Sequence, residues 1–186
     1  MLIDETESRA FDETVAKAKQ LARAGDGTAA IALADEVIHR YPLKIEGWMV
    51  RGLVHELGDE YELAARDITR AIELNSLEPH LYYSRGRYFF YLGDDHRAAD
   101  DFSQGLRLSE FHKNDYYREE LLFWRAEAFL RLGRKKEALE DLANVSDDFT
   151  SWTYKLRTKQ DLLRDGGLKS GGLGGSSGAS RVASSQ

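Results

Sequence analysis

The sequence repeats itself at a period of 34 residues, and this repeat limits the possible folds more than any other feature. Small residues recur in one column with spacings of 34, 34 and 40 residues, at Ala18, Gly52, Gly86 and Ala126. Two further columns keep the same register: Ala30, Ala64, Ala98 and Ala138, and Val37, Ala71, Gly105 and Val145. Small side chains let paired helices approach to about 8 to 10 Å between axes. The columns therefore predict a stack of similar helical units.

Each unit contains a glycine near its middle, at Gly25, Gly58, Gly93 and Gly133. The segments on either side of these glycines carry apolar residues at helical spacing, which indicates two helices joined by a tight turn. The whole chain has only two prolines, so almost nothing interrupts its helices. The predicted fold class is all-α.

A 34-residue unit with this order of large residue, small residue, turn glycine and alanine resembles the tetratricopeptide repeat. The match is carried by Pro42, Trp48, Gly52, Tyr61, Ala64 and Ala71. The resemblance implies a right-handed α-solenoid of four helix hairpins, with units at about 11–44, 45–78, 79–112 and 119–152 and a short N-terminal segment at 1–10. Such a signature is specific for a fold and says little about function.

Three features depart from the repeat pattern. Thr14 stands where a bulky residue is expected, and Gly105 lies inside a predicted second helix, which should weaken that helix. Six extra residues, 113–118, separate the third and fourth units. One interpretation is that this insert extends the next helix backwards and forms a tyrosine-bearing rim beside the groove. The sequence leaves open whether Tyr116 and Tyr117 face solvent or the groove.

The end of the repeat array needs a cap, because each hairpin leaves an apolar face open until another element covers it. Residues 151–164, with Trp152, Leu156 and Leu163 at roughly helical spacing, are the predicted capping helix. The alternative is an amphipathic helix that docks on a partner. The segment 165–186 is rich in Gly and Ser, and we expect it to be disordered.

Composition excludes several classes of function. The chain has no cysteine, which excludes disulfides and thiolate metal sites. Its formal net charge of -6 disfavours nucleic acid and anionic membranes as partners. No stretch has the length and apolarity of a membrane span or signal peptide, so a cytoplasmic location is expected.

The charged residues predict structure rather than catalysis. Arg51, Arg85 and Arg125 are each followed sixteen residues later by an aspartate, at Asp67, Asp101 and Asp141. In a helix hairpin this spacing places the two groups opposite each other, which predicts one structural ion pair per repeat. The five histidines never fall at the i, i+4 spacing of a helical metal site, and no catalytic motif is present. We predict no enzyme activity, no metal and no cofactor.

The resemblance also implies where a partner would bind, namely on the concave face formed by the first helix of each unit. Carried over to this sequence, the predicted partner-binding residues are Met49, Leu53, Glu56, Tyr83, Arg87, Phe90, Tyr91, Phe123, Glu127 and Leu130. Tyr83, Arg87, Phe90 and Phe123 are the expected anchors, since buried aromatics and arginine dominate binding energies. The alternative is that Tyr83, Phe90 and Phe123 belong to the core or lie under the chain's own tail.

These observations favour a non-catalytic module that binds a helix or an extended segment of another protein. A more specific alternative is a dedicated neutraliser, such as a bacterial toxin immunity protein, or a secretion chaperone with one client. A co-chaperone that clamps a chaperone's C-terminal carboxylate is disfavoured, because the clamp positions hold Val15, Lys19, Val50, His80 and Ser84. The sequence leaves the partner and the oligomeric state open.

Overall fold

The computed structural model describes residues 5–113, 115–151 and 157–168. Within these ranges the chain is almost entirely helical and forms four consecutive hairpins, followed by a small β-hairpin and a last helix. The elements are α1 (Glu5–Arg23), α2 (Gly27–Arg40), α3 (Ile45–Leu57), α4 (Tyr61–Leu74), α5 (Pro79–Tyr91), α6 (Asp95–His112), α7 (Arg118–Arg131), α8 (Lys135–Leu142), β1 (Thr150–Ser151), β2 (Arg157–Thr158) and α9 (Lys159–Asp165). This arrangement confirms the predicted all-α stack of helix hairpins with a capping helix.

The predicted turn glycines separate the two helices of each hairpin. Gly25, Gly93 and Gly133 adopt φ angles of +84°, +78° and +74°, which residues with a Cβ atom rarely adopt. The second hairpin differs, because Gly58 has a φ of -94° and the next residue, Asp59, adopts the left-handed conformation with a φ of 56°. Aspartate tolerates this conformation better than most residues, so the turn keeps its shape.

The columns of small residues lie where helices approach most closely. Ala30, Ala64, Ala98 and Ala138 are all fully buried. A Cβ atom on Gly86 would lie 2.6 Å from Phe102 Cε1, and one on Gly105 would lie 2.8 Å from Leu121 Cδ2. Gly105 therefore serves packing: α6 continues through it, and Leu121 of α7 occupies the space that a side chain would fill.

The predicted ion pairs are present in the second, third and fourth hairpins. Each arginine donates two hydrogen bonds to the aspartate sixteen residues later, with N···O distances between 2.6 and 2.9 Å. The three aspartates, Asp67, Asp101 and Asp141, are at most 6% exposed. A bidentate arginine–carboxylate pair fixes the rotation of one helix relative to the other as well as their distance.

The same arginines also reach back to the preceding hairpin, a contact that sequence reasoning missed. Nη1 of Arg51 donates to Asp35 at 2.7 Å, and Nη1 of Arg85 donates to the Thr69 hydroxyl at 3.2 Å. Nη1 of Arg125 donates to the Ser103 hydroxyl at 3.1 Å. Asp35, Thr69 and Ser103 are themselves spaced by 34 residues. Each arginine thus joins three helices and sets the stacking of one hairpin on the next.

The ends of several elements differ from the expectations. Helix α1 begins at Glu5, so residues 5–10 belong to the first hairpin. The insert does not extend α7 backwards as expected: α6 runs to His112, Lys113 ends it with a φ of 53°, and α7 begins only at Arg118. The extra length has gone into the end of α6 and a turn, since α6 spans 18 residues and α4 only 14.

The C-terminal cap is shorter than predicted. Ser151 and Arg157 pair in the two-stranded sheet instead of continuing a helix, and α9 begins at Lys159. Thr158 starts this helix with a capping box, in which its hydroxyl and the Asp161 carboxylate satisfy each other's backbone N–H groups. Leu163 is 5% exposed, as expected of a cap residue. The segment 165–186 was expected to be disordered, but Asp165 ends α9 and residues 166–168 follow it with a backbone hydrogen bond from Leu168 to Leu163. Trp152, Leu156 and residues 169–186 lie outside the described residues.

Replacing Arg85 with methionine tests the role of the ion pairs. The buried Asp101 carboxylate would lose its two charge-assisted hydrogen bonds, and we expect the free energy of unfolding at neutral pH to fall by about 2 to 4 kcal/mol. Burial already raises the pKa of Asp101, against the opposing effect of Arg85. Without Arg85 this pKa rises further in the folded state, so part of the lost stability returns as the pH is lowered towards about 5.

Chemical denaturation at the two pH values measures this effect. Arg66→Met, on the exposed side of α4, is the matched control and should leave the stability within about 0.5 kcal/mol of wild type. An Arg85→Met protein as stable as this control would show that the pair contributes nothing.

Replacing Gly86 with alanine tests the close approach of α5 and α6. The added methyl group would clash with the Phe102 ring, and we expect a loss of about 1 to 3 kcal/mol in the free energy of unfolding. Gly52→Ala is the control, because it occupies the same column but its Cβ would lie 3.3 Å from the end of the flexible Ile68 side chain. Thermal denaturation should rank Gly86→Ala clearly below Gly52→Ala; equal melting temperatures would contradict the packing argument.

Candidate functional site

The first helices of the second and third hairpins, α3 and α5, meet through a charged pair. Arg87 Nη2 donates to Glu56 at 2.6 Å, and the Tyr88 hydroxyl donates to the other carboxylate oxygen at 2.8 Å. Burial lowers the pKa of Arg87, but the charge of Glu56 together with the neighbouring Tyr83 and Tyr91 outweighs this, and the pKa is raised overall. Arg87 is therefore charged and already paired with Glu56, so a partner would meet an ion pair and not a free cation.

Aromatic rings surround this pair. The Arg87 guanidinium lies 5.5 Å from the Tyr83 ring centre, 5.9 Å from that of Tyr91 and 5.7 Å from that of Trp124. Tyr91 also stacks on Tyr61 of α4 at 4.7 Å between ring centres. These contacts hold the guanidinium plane in place by cation–π attraction, which leaves a rigid, mostly apolar surface.

Phe90 and Phe123, two of the four expected anchors, are core residues. Phe90 is 3% exposed and packs edge-on against Trp124 at 5.1 Å, with the Arg131 guanidinium 3.4 Å from its ring centre. Phe123 is 0% exposed. Neither ring could touch a partner without rearrangement. Their positions match the alternative stated from the sequence, that these residues belong to the core or lie under the chain's own C-terminal residues.

Phe123 is buried where the described C-terminal residues, 149–151 and 157–168, lie against α7. The Phe149 ring packs on Phe123 at 5.3 Å between ring centres, and the Ser151 hydroxyl donates to Glu120 at 2.9 Å. The same Glu120 oxygen accepts from Trp124 Nε1 at 3.2 Å. The first half of the fourth unit's expected binding surface is thus covered by the chain itself.

The second half of that surface is covered in the same way. Arg157 of β2 forms an ion pair with Glu127, which is 6% exposed, and it also donates to Asp165 at 2.7 Å. Burial raises the pKa of Glu127, while the charge of Arg157 opposes this rise. Leu130 is half-buried and lies close to Gly166, where an added Cβ would be 2.9 Å from its Cδ2.

The remaining predicted residues stay partly accessible and lie together on two adjacent helices. These half-buried residues are Met49, Leu53, Glu56, Tyr83, Arg87 and Tyr91. We call this set the α3–α5 surface. The sequence pattern placed its members correctly on first helices, but it could not show that Glu56 pairs with Arg87, since 31 residues separate them.

Two classes of site find no support in the described part of the chain. No group of three or more His, Cys, Asp or Glu side chains there could hold a metal ion. No helix described is long and apolar enough to cross a membrane.

Comparison with known proteins agrees with this architecture. A family model described as Tetratricopeptide repeat matches residues 15–79 and 83–149, which together make up more than half of the chain. Comparison with curated proteins gives no match.

Solved structures give similar folds at low sequence identity. A crystal structure of MamA superimposes with a TM-score of 0.62 at 17% identity, covering 75% of this chain and 73% of that one. YrrB, described as a TPR protein with an unusual peptide-binding site, gives 0.61 at 18% identity, covering 73% and 71%. The TPR2B domain of yeast Sti1, solved in complex with pHsp70, gives 0.60 at 17% identity, covering 63% and 94%.

The repeat period, the stacked hairpins and the family model agree over the same residues. The chain belongs to the tetratricopeptide repeat family.

Proposed function

We propose that this protein is a non-catalytic interaction module that binds a polypeptide segment on the α3–α5 surface. The observation that carries the proposal is the cluster of partly exposed apolar and aromatic side chains held rigid around the Glu56–Arg87 pair. A rigid surface of this kind loses little entropy on binding, so a short ligand can be held by a few contacts. Two similar folds support the proposal, since YrrB is described as having a peptide-binding site and the Sti1 domain was solved in complex with pHsp70.

The chemistry of the surface favours a ligand with apolar side chains. Met49 and Leu53 lie one helical turn apart on α3, and Tyr83 and Tyr91 extend the apolar area across α5. The internal ion pair leaves no net charge at the centre of this surface. We therefore propose an amphipathic helix or extended segment whose aliphatic or aromatic residues contact Met49, Leu53 and Tyr91.

The narrower candidate is a protein dedicated to one client, either as a neutraliser or as a secretion chaperone. The net charge of -6 favours it, because a basic client would be attracted over a long range. The two proposals differ in affinity. A dedicated inhibitor should bind one client at nanomolar strength or tighter, whereas a general module is expected to bind several segments at about micromolar strength.

Substitutions on the α3–α5 surface test the proposal. Random peptides displayed on phage would be selected for binding to the wild-type protein. The affinity of the enriched peptides would then be measured by calorimetry. We expect Met49→Ala with Leu53→Ala to weaken their binding by about 10- to 100-fold, because it removes two contacts at the centre of the surface. Arg66→Ala, on the exposed side of α4, should leave the affinity unchanged. Peptides that bind both variants as tightly as wild type would rule out this surface.

Hydrogen exchange provides an independent measurement. In the presence of a saturating selected peptide, amides of α3 and α5 should exchange about tenfold more slowly, since ligand binding suppresses local opening. Amides of α7 should change little, because residues 149–151 and 157–168 already cover that helix. Slower exchange confined to α7, with no change in α3 and α5, would mean that a ligand displaces the C-terminal segment instead.

A further inference from the structure

The described residues that lie against α7, 149–151 and 157–168, are attached differently from the hairpins. We call them the C-terminal cover. Lys159 stands 34 residues after Arg125, in the sequence position of the next stacking arginine. Its ammonium donates to the Val145 carbonyl at 2.8 Å and to the Asp147 carboxylate at 2.7 Å, and the Asp147 side chain is 85% exposed. An ion pair with so exposed a partner contributes little to stability, so the cover lacks the bidentate link that joins the hairpins.

The elements of the C-terminal cover are too short to be stable alone. Its two strands have two residues each, and α9 has seven residues. An isolated helix of this length is unstable in water, and an isolated two-stranded hairpin is marginal. The buried residues of α9 are Leu162 and Leu163. The cover is therefore held in place by its contacts with the fourth hairpin and not by its own secondary structure.

The C-terminal cover lies on positions of α7 that correspond to the α3–α5 surface. Phe123 follows Tyr83 by 40 residues, and Glu127 follows Arg87 by the same interval, which is one repeat plus the six-residue insert. Both α7 residues are buried where the cover lies. Helix α7 is a direct neighbour of α5, since the Tyr83 hydroxyl donates to Glu120 at 3.3 Å. The cover thus occupies the part of the fourth repeat that would continue the α3–α5 surface.

The contacts of the cover show which chemistry this part of α7 accepts. The Phe149 ring packs on Phe123 at 5.3 Å between ring centres, and the Ser151 hydroxyl donates to Glu120 at 2.9 Å. On the next turns of α7, Arg157 forms an ion pair with Glu127. The face of α7 therefore takes one apolar ring and two hydrogen-bond donors, and the second donor carries a positive charge.

Glu127 makes the positive charge a requirement. The charged groups that face it are Arg157 and Asp165 of the cover, and Arg131 and Asp95. Burial raises the pKa of Glu127, and the charge of Arg157 opposes this rise. Arg131 is already paired with Asp95 at 3.3 Å. Because a buried carboxylate without its cation is strongly destabilising, a ligand that replaces the cover must bring its own cation to Glu127.

We propose that the C-terminal cover is an internal ligand of α7, and that a basic segment of another protein displaces it. This segment places an arginine or lysine against Glu127 and an aromatic or aliphatic side chain against Phe123. The net charge of -6 attracts such a segment over a long range. Displacement would lengthen the α3–α5 surface by one repeat. The exchange on α7 itself does not require a ligand on the α3–α5 surface, so the two proposals can fail separately.

A synthetic peptide with the sequence of residues 149–168 is the probe, and its binding to the full chain is measured by fluorescence anisotropy. In the wild type, the attached cover competes with the peptide at the high effective concentration of an intramolecular ligand. Arg157→Gln in the protein removes the cation from Glu127 and weakens this competition. We expect saturable binding of the peptide to Arg157→Gln, at least about tenfold tighter than to wild type.

Matched controls separate the Glu127 contact from general effects of charge. Arg164 also lies on the cover, but its side chain is 72% exposed and pairs with Asp161 of the same helix, so Arg164→Gln should bind the peptide like wild type. A second peptide carrying Arg157→Glu should not bind the Arg157→Gln protein. The same second peptide should bind a Glu127→Arg protein, because opposite charges then meet again.

Hydrogen exchange distinguishes release of the cover from unfolding. In Arg157→Gln, amides of α9 should exchange about tenfold faster than in wild type, while amides of α1 to α6 keep their wild-type rates. Faster exchange throughout the chain would show that the cover is an integral part of the fold and would overturn the proposal.

Four further outcomes would also overturn it. The first three are equal peptide affinity of Arg157→Gln and Arg164→Gln, equal binding of the two peptides to Arg157→Gln, and the absence of saturable binding up to about 1 mM peptide. The fourth comes from sedimentation velocity. A wild-type dimer that becomes a monomer in Arg157→Gln would show that the cover is exchanged with a second copy of the chain, and not displaced by another protein.

Discussion

The stacking of this protein depends on one arginine in each of the second, third and fourth repeats, whose guanidinium bonds to two neighbouring helices at once. In Arg85, Nε and Nη2 donate to Asp101 of the same hairpin, and Nη1 donates to Thr69 of the preceding hairpin. The planar group cannot satisfy both neighbours unless the two hairpins have a defined rotation. The positions of α3, α5 and α7 follow from this, and with them every surface that a ligand could reach. Apolar packing supplies most of the stability, while the arginines select one arrangement among many apolar ones.

The fold was predictable because each sequence pattern recurs in several repeats, so one repeat supports the interpretation of the next. The columns of small residues and the Arg–Asp pairs keep one register, and a turn glycine falls near the middle of each unit. The structure confirms the hairpins and the ion pairs. Where the chain stops repeating, prediction lost accuracy. Next to the insert at 113–118, α6 is longer than α4 and ends at His112, α7 begins only at Arg118, and residues 151 and 157 pair as strands. These outcomes depend on tertiary contacts that occur only once, so no second copy of the pattern could reveal them.

The candidate site shows the same division. Position within the repeat correctly predicted which residues lie on first helices, and Met49, Leu53, Glu56, Tyr83, Arg87 and Tyr91 stay partly accessible there. It could not predict that Phe123 and Glu127 are buried, because their cover comes from Phe149 and Arg157 of the segment that follows the last repeat. The burial of Phe90 depends on Trp124 and Arg131 of the next repeat. The position of a residue within the repeat thus predicts which helix carries it. Whether its side chain is accessible depends on contacts with neighbouring elements.

The large side chains of the core are distributed unequally along the stack. Phe90, Phe102, Phe123, Trp124 and Phe129 all pack in one cluster around the third and fourth hairpins, which α9 closes. The core between the first and second hairpins is built from small residues such as Ala18, Ala34, Val37 and Val50, with Phe11 as its one buried ring among the described residues. In a linear array each repeat is held only by its neighbours, so local stability follows the local core. We therefore expect opening of the chain to begin at α1 and α2 and to reach the aromatic cluster last.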